Sequence, residues 1–262
     1  MKTTLRSVFV TLFISLFTVS VLSAGFKDWS SKALSVFDKT TDAEAVAGSA
    51  FSSAEDLATA LREALAVSAE RALKDLSKKG GFANSELYKI PLPKTIESLR
   101  KPLQLVNRED LLNDFEATLN RAAEKGVAAA PAVVKYTIQS LTLDDLNELW
   151  EGEDDAITRF LEKRSRDQLA IRTLPLIAEA TNSTGATASY KRMYEAVPQT
   201  GGGLFSKVQS FTGIGVKDFD LDQYVNEKAL DALFAAMAAE EKAIRENPVA
   251  RSTSLLKKLF GQ

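Results

Sequence analysis

Residues 52–81 read SSAEDLATALREALAVSAERALKDLSKKGG, and the spacing of their apolar side chains decides the fold class. Leu57, Leu61, Leu65, Ala69 or Ala72, and Leu76 recur every three or four residues, the period of one buried helix face, whereas a half-buried strand would alternate by two. Ser52 and Glu55 have capping-box spacing and predict the start of this helix. Lys78, Lys79, Gly80 and Gly81 predict its end, because cations suit the carbonyl terminus and glycine accepts the left-handed turn that closes it.

Toward the carboxyl end the same period returns. Pro91 and Pro93 in GGFANSELYKIPLP (80–93) remove two backbone donors and push Ile90 and Leu92 out of helical geometry, which predicts an extended crossover. Asn107 and Asp110 mark a second start, followed by Leu111, Leu112, Phe115, Leu119 and Ala122. Gly126 and Pro131 then predict a kink or two abutting helices, with Val134, Ile138 and Leu141 resuming the period. Thr142 with Asp145, and Ser165 with Gln168, have capping spacing, and residues 182–185 read as a turn. Asp220 opens a helix through Val225, Leu230, Leu233, Met237 and Ile244 that Pro248 stops, and Leu255, Leu256, Leu259 and Phe260 close the chain on one last helix. The expected fold is all-α, a single bundle-like domain of seven to nine helices over residues 52–262.

Toward the amino end the pattern changes. Lys2 and Arg6 precede an apolar run, Ser7 to Leu22, and then Ser23, Ala24 and Gly25, the order of a secretory signal peptide occupying residues 1–24. The expected location is therefore periplasmic or secreted, with membrane contact only through that segment if it stays uncleaved. Residues 25–51 are rich in Ser, Ala, Thr and Asp, and are expected to form a weakly ordered segment before the domain.

Composition excludes several chemistries. The chain has neither cysteine nor histidine, so thiol catalysis, thiolate metal sites, Ser-His-Asp arrangements and HExxH zinc sites are unavailable to it. Its net charge is −2, and its Lys and Arg are interspersed with Asp and Glu, so no nucleic-acid partner is expected. No cofactor and no resident metal is expected either.

Several separated motifs occur in a recognisable order: ALREAL (60–65), GGF (80–82), IPLP (90–93), NRAAE (120–124), LTLDDL (141–146), EKALDALF (227–234) and EEKAIRENPVARSTSLLKKLFG (240–261). In this the chain resembles the DUF4197 family, a family of unknown function, over about residues 52–261. The resemblance implies an exported bacterial helical protein and carries no catalytic residue. Leu141 and Leu146 depart from the Met and Ala of the family's corresponding segment and enlarge its apolar face.

Local motifs suggest chemistry and mostly fail on inspection. Ser254 and Lys257 fit a Ser-x-x-Lys hydrolase pattern without its companion motifs, and Leu255, Leu256 and Leu259 claim the buried face there. Asp218, Asp220 and Asp222 occupy calcium-loop spacing, but Gln223 stands where the turn glycine is required. Gly201 to Val208 departs from a phosphate loop at Ser206 and Val208. Glu151, Glu153, Asp154 and Asp155 suit a helix amino terminus. Glu241 and Arg245 have ion-pair spacing, while Arg245 with Arg251 is a candidate pair for an anionic headgroup or a partner's carboxylate.

The best lead is apolar. Phe82, Ile90, Leu92, Leu204, Phe205, Phe211 and Ile214 lie in glycine- or proline-rich connections, where large side chains either plug a core or line a ligand groove. The function expected is a non-enzymatic envelope protein that binds a partner protein or an apolar, lipid-like ligand. The alternative is a hydrolase or lyase using paired carboxylates, which needs no imidazole.

Overall fold

A computed structural model describes residue 51 and residues 53–142, 149–150, 152–197 and 219–261. All of them fall in one unit, Val46–Gln262. The regular elements among them are helices, with no strand. The signal-peptide expectation and the amino-terminal segment other than Phe51 lie outside the described residues, as do the Thr142–Asp145 helix body, Asp218 of the calcium-loop spacing and the 199–217 loop with Leu204, Phe205, Phe211 and Ile214.

Helix α1 (Ala54–Leu76) buries Leu61, Leu65, Ala69, Ala72 and Leu76 along one side. Its cap is Ser53 rather than Ser52: extended backbone at Ser53 lets its hydroxyl accept from Asp56 N at 3.1 Å. The crossover that follows is a series of turns over 77–88 and becomes extended only from Lys89 to Pro93. Two short helices, α2 (Lys94–Glu97) and α3 (Arg100–Leu105), come next, and the apolar spacing had not announced them. Asn107 ends α3 instead of opening the following helix. Its φ is 55°, and the Arg108 N–H reaches back to the Leu103 carbonyl at 2.8 Å, a left-handed closure of α3.

Helices α4 (Asp110–Ala129) and α5 (Pro131–Gln139) abut at Ala130, with Pro131 at the first position of α5 where no N–H is needed. Gly126 does not loosen α4. It lets α6 approach so closely that an added Cβ would stand 2.2 Å from Ile177 Cδ1.

Helix α6 (Ala156–Ser183) runs unbroken through the expected second start. Ser165 is buried there, and its hydroxyl donates to the Leu161 carbonyl one turn back rather than capping a new helix. Gly185 (φ 82°) separates α6 from α7 (Ala186–Ala196). Asp220 caps α8 (Leu221–Glu246) through Gln223 N at 2.9 Å. A 3₁₀ turn (Pro248–Ala250) leads to α9 (Ser254–Phe260), which is capped by Thr253.

Helix α8 packs along α6 and α1, α4 along α6 and α7, α5 against α1 and α6, and α9 against α1. The buried set joins Leu61, Phe115, Leu119, Ile157, Leu161, Val225, Met237 and Leu256 into one core. Each fully buried Leu, Ile or Phe contributes about 1.5–3 kcal/mol relative to exposure. Polar pairs fix the α6–α8 register: Thr173 donates to Asn226 Oδ1 at 2.7 Å, and Asn226 donates to the Ala170 carbonyl at 2.9 Å.

Candidate functional site

The crossover is held by one helix turn of α4. Asn120 accepts from Ile90 N at 2.9 Å and donates to the Ile90 carbonyl at 3.0 Å. Four residues on, Glu124 Oε1 gathers the N–H groups of Gly80, Phe82 and Ala83 at 3.0, 3.3 and 3.4 Å. Both side chains are buried, and amide donors converging on one carboxylate oxygen compensate its desolvation. Gly80 has a φ of 85°. At Gly81 a Cβ would lie 2.4 Å from the Leu76 carbonyl oxygen, so side chains are excluded at this fold of the chain.

This clamp places Phe82 and Ile90 in the core, both essentially inaccessible. Of the two roles left open for them, plugging a core or lining a groove, their burial fits the first. Leu92 remains half-buried against the core.

A second polar node sits where α6 begins. Glu241 is 1% exposed and accepts from Ile157 N at 3.2 Å and from Thr158 N and Oγ1, both at 2.7 Å. It thereby satisfies amides that a helix amino terminus leaves open. Arg245 Nε completes the carboxylate at 3.0 Å, and the same guanidinium stacks on Phe260 at 4.9 Å. Its remaining donors point to the carbonyls of Trp150 and Leu149 at 3.3 and 3.4 Å. Arg251 donates to the carbonyls of Ile244 and Arg245 at 3.0 and 2.8 Å, closing the end of α8. Arg245 and Arg251 are thus brought together, yet their guanidinium groups serve the end of α8, the α6 entry and the docking of α9. These contacts are internal to the chain, with Glu241 and backbone carbonyls as the acceptors.

In the nearby acidic cluster Glu153, Asp154 and Asp155 each have a cationic partner, while Glu151 lies outside the described residues. Arg159 bridges Glu153 and Asp155 at 3.0 and 2.5 Å, and Lys242 bridges Asp154 and Glu246 at 3.3 and 3.5 Å, around a shallow cavity of about 480 Å³. Ser254 and Lys257 are both exposed. Among the described residues no group of three His, Cys, Asp or Glu side chains is placed to hold a metal ion. No helix among them is long and apolar enough to cross a membrane.

The feature that sequence reasoning missed is aromatic. Phe115 on α4, Tyr190 on α7, Phe219, and Tyr224 on α8 form a continuous ladder with centroid separations of 5.5, 5.9 and 5.5 Å. Tilted pairs at these distances are favourable beyond the area they bury. Phe115 is fully buried, while the other three rings are half-buried. The Tyr224 hydroxyl donates to the Pro91 carbonyl at 2.8 Å, which ties the outer end of the ladder to the crossover beside Leu92. Burial pushes the Tyr224 phenol above its ordinary value, and the Asp231 charge adds to that shift. No periodicity links residues 115, 190, 219 and 224, so only tertiary packing could reveal the ladder.

Fold and site together define an all-α domain in which one turn of α4 clamps a two-proline crossover against an aromatic ladder. The chain belongs to the family DUF4197, described as a protein of unknown function, whose family model matches residues 52–261. No curated protein matches the chain, and no solved structure does. The clamp gives three of the motifs a physical role: NRAAE supplies Asn120 and Glu124, which hold GGF and IPLP.

Proposed function

We propose that the protein is an exported, non-enzymatic binding protein. It takes an apolar, lipid-like ligand, or the apolar segment of a partner protein, along the aromatic ladder beside Leu92 and Pro91. The observation carrying this reading is the ladder itself. Three half-buried rings stand in a row, with the outermost tied at 2.8 Å to a crossover that is itself clamped to α4. A preorganised apolar wall binds with little ordering of its own groups. The use of Glu124 and Glu241 as acceptors for backbone amides also favours binding over carboxylate catalysis, which needs an acid and a base facing a cleft.

The test is titration of the purified protein with a fluorescent fatty-acid analogue, comparing wild type with Phe219→Ala and Tyr224→Phe. Saturable uptake by wild type, weakened at least tenfold by Phe219→Ala, is the expected result. No uptake, or uptake indifferent to both substitutions, would contradict the site. Export is tested separately: amino-terminal sequencing of protein from the envelope fraction should begin near residues 24–26.

A further inference from the structure

The crossover is pinned along most of its length and loosely held at one place. Its buried ties are those of Asn120 to Ile90 and of Glu124 to Phe82. Lys89 adds a salt bridge to Glu116 at 3.1 Å, and the Pro93 carbonyl takes the Ile96 and Glu97 N–H groups at 2.9 and 2.8 Å as α2 begins. Between these anchors, among the described residues, Pro91 and Leu92 make a single hydrogen bond, from the Tyr224 hydroxyl to the Pro91 carbonyl at 2.8 Å. Pro91 is exposed, and that bond lies at the surface.

This arch is stiff except at one peptide plane. The proline rings fix φ at Pro91 and Pro93, and each proline keeps the residue before it extended. The freedom left lies mainly in ψ of Pro91 and φ of Leu92, the torsions that turn the plane carrying the Pro91 carbonyl. Rotation about them takes the carbonyl away from the Tyr224 hydroxyl and displaces Leu92 relative to the ladder. Leu92 has no backbone hydrogen bond to oppose that movement, and its side chain is only half-buried. A hydrogen bond at the surface is worth little net, because water replaces the lost partner. The bond that fixes the arch is therefore also the bond that opens most readily, and its donor is the outermost ring of the ladder, 5.5 Å from the Phe219 ring.

We propose that Leu92 is a gate at the outer end of the aromatic ladder and that the Tyr224 hydroxyl is its latch. The proposal rests on the reading of the ladder as a binding wall. With the hydroxyl on the Pro91 carbonyl, Leu92 closes against the outer ring. When water takes that carbonyl, the peptide plane turns and an apolar chain reaches Tyr224 and Phe219. The two parts of Tyr224 then have separable roles: the ring packs on Phe219, and the hydroxyl sets how often the gate stands open.

The absence of cysteine allows the gate to be read on the full chain without any ligand. Leu92→Cys introduces a single thiol, and its rate of reaction with a water-soluble aromatic disulfide follows the open fraction. Adding Tyr224→Phe should speed that reaction about fivefold, the effect of losing one ordinary hydrogen bond. Ser68→Cys, fully buried on α1 where the hydroxyl has no partner, reports global opening instead. It should react at the same slow rate with and without Tyr224→Phe. No acceleration at position 92, or equal acceleration at both positions, would overturn the latch. A second readout keeps Leu92: stopped-flow mixing of the fluorescent fatty-acid analogue with wild type and with Tyr224→Phe. The association rate should rise several-fold in the variant, whereas a change confined to dissociation would make the hydroxyl a mere ligand contact and overturn the gate. Faster thiol reaction with no uptake by either protein would uphold the latch and overturn the binding role of the ladder.

Discussion

Asn120 holds Ile90 by both ends of its carboxamide, accepting from the amide at 2.9 Å and donating to the carbonyl at 3.0 Å. A side chain on α4 thus pairs with the crossover as a neighbouring strand would. The pairing supplies partners that Pro91 and Pro93, lacking N–H groups, leave the segment short of.

Asn120→Ala leaves two buried backbone groups without partners and should destabilise the domain by about 2–5 kcal/mol. Urea denaturation monitored by helical circular dichroism measures this. Asn120→Asp should restore only the acceptor half and fall between alanine and wild type. A loss below about 1 kcal/mol for the alanine variant would show that the clamp is dispensable.

The Glu241–Arg245 pair supports the opposite end of the bundle. Glu241→Ala strands a guanidinium only about a tenth exposed and uncaps α6, so a loss of about 3–5 kcal/mol is expected. Removing both partners should cost less than the sum of the single losses, a positive coupling that a double-mutant cycle reads directly.

Gly126 and Ile177 should be coupled through one atom. Gly126→Ala alone sets its new methyl against Ile177 Cδ1, and overpacking of this kind costs about 1–3 kcal/mol. Ile177→Val deletes that atom. In its background Gly126→Ala should become neutral or stabilising by up to about 1 kcal/mol, because alanine is the better helix former. Thermal denaturation of the four proteins decides the matter.

Burial raises the Glu63 carboxyl above its ordinary value of 4.5, and a hydrogen bond from Thr253 opposes that only in part. Its Oε1 is buried without a hydrogen-bond partner. A raised folded-state value means that the stabilising contribution is fully present below pH 4.5 and is lost as pH rises through the folded value. Glu63→Gln should therefore be more stable than wild type at pH 7.5, with the advantage shrinking toward pH 4. Asp114 has the opposite sign. The Ser189 hydroxyl at 2.6 Å holds its carboxyl below the ordinary value of 3.8, and Arg192 adds to this. Its contribution is present above pH 3.8 and disappears as the pH falls through the lower folded value. Urea midpoints at several pH values for wild type, Glu63→Gln and Asp114→Asn test the two signs separately.

The helical class was legible in the apolar spacing of α1, α4 and α8, because each buries a continuous stripe whose period survives any partner. Asp220 could be read as a cap because its hydrogen bond closes within three residues. Asn107 and Ser165 misled for the same local reason: both suit helix starts in isolation, and tertiary packing gave one to a helix end and buried the other inside α6. Asn120 and Glu124 were visible as motif residues but not as a clamp, since their partners lie 30 to 44 residues away. Arg245 and Arg251 were read as a candidate pair for an anion, and the structure sets Arg251 on the Arg245 carbonyl. Spacing could not show that Glu241 and backbone carbonyls take up several of their donors.

The proposed binding role rests on the ladder of Phe115, Tyr190, Phe219 and Tyr224. Native mass spectrometry with lipid extraction, on protein purified gently from the envelope fraction, tests that role most directly. The account predicts a bound lipid or apolar metabolite that is retained by wild type and lost from Phe219→Ala. An empty mass for wild type, with no partner chain bound, would contradict it.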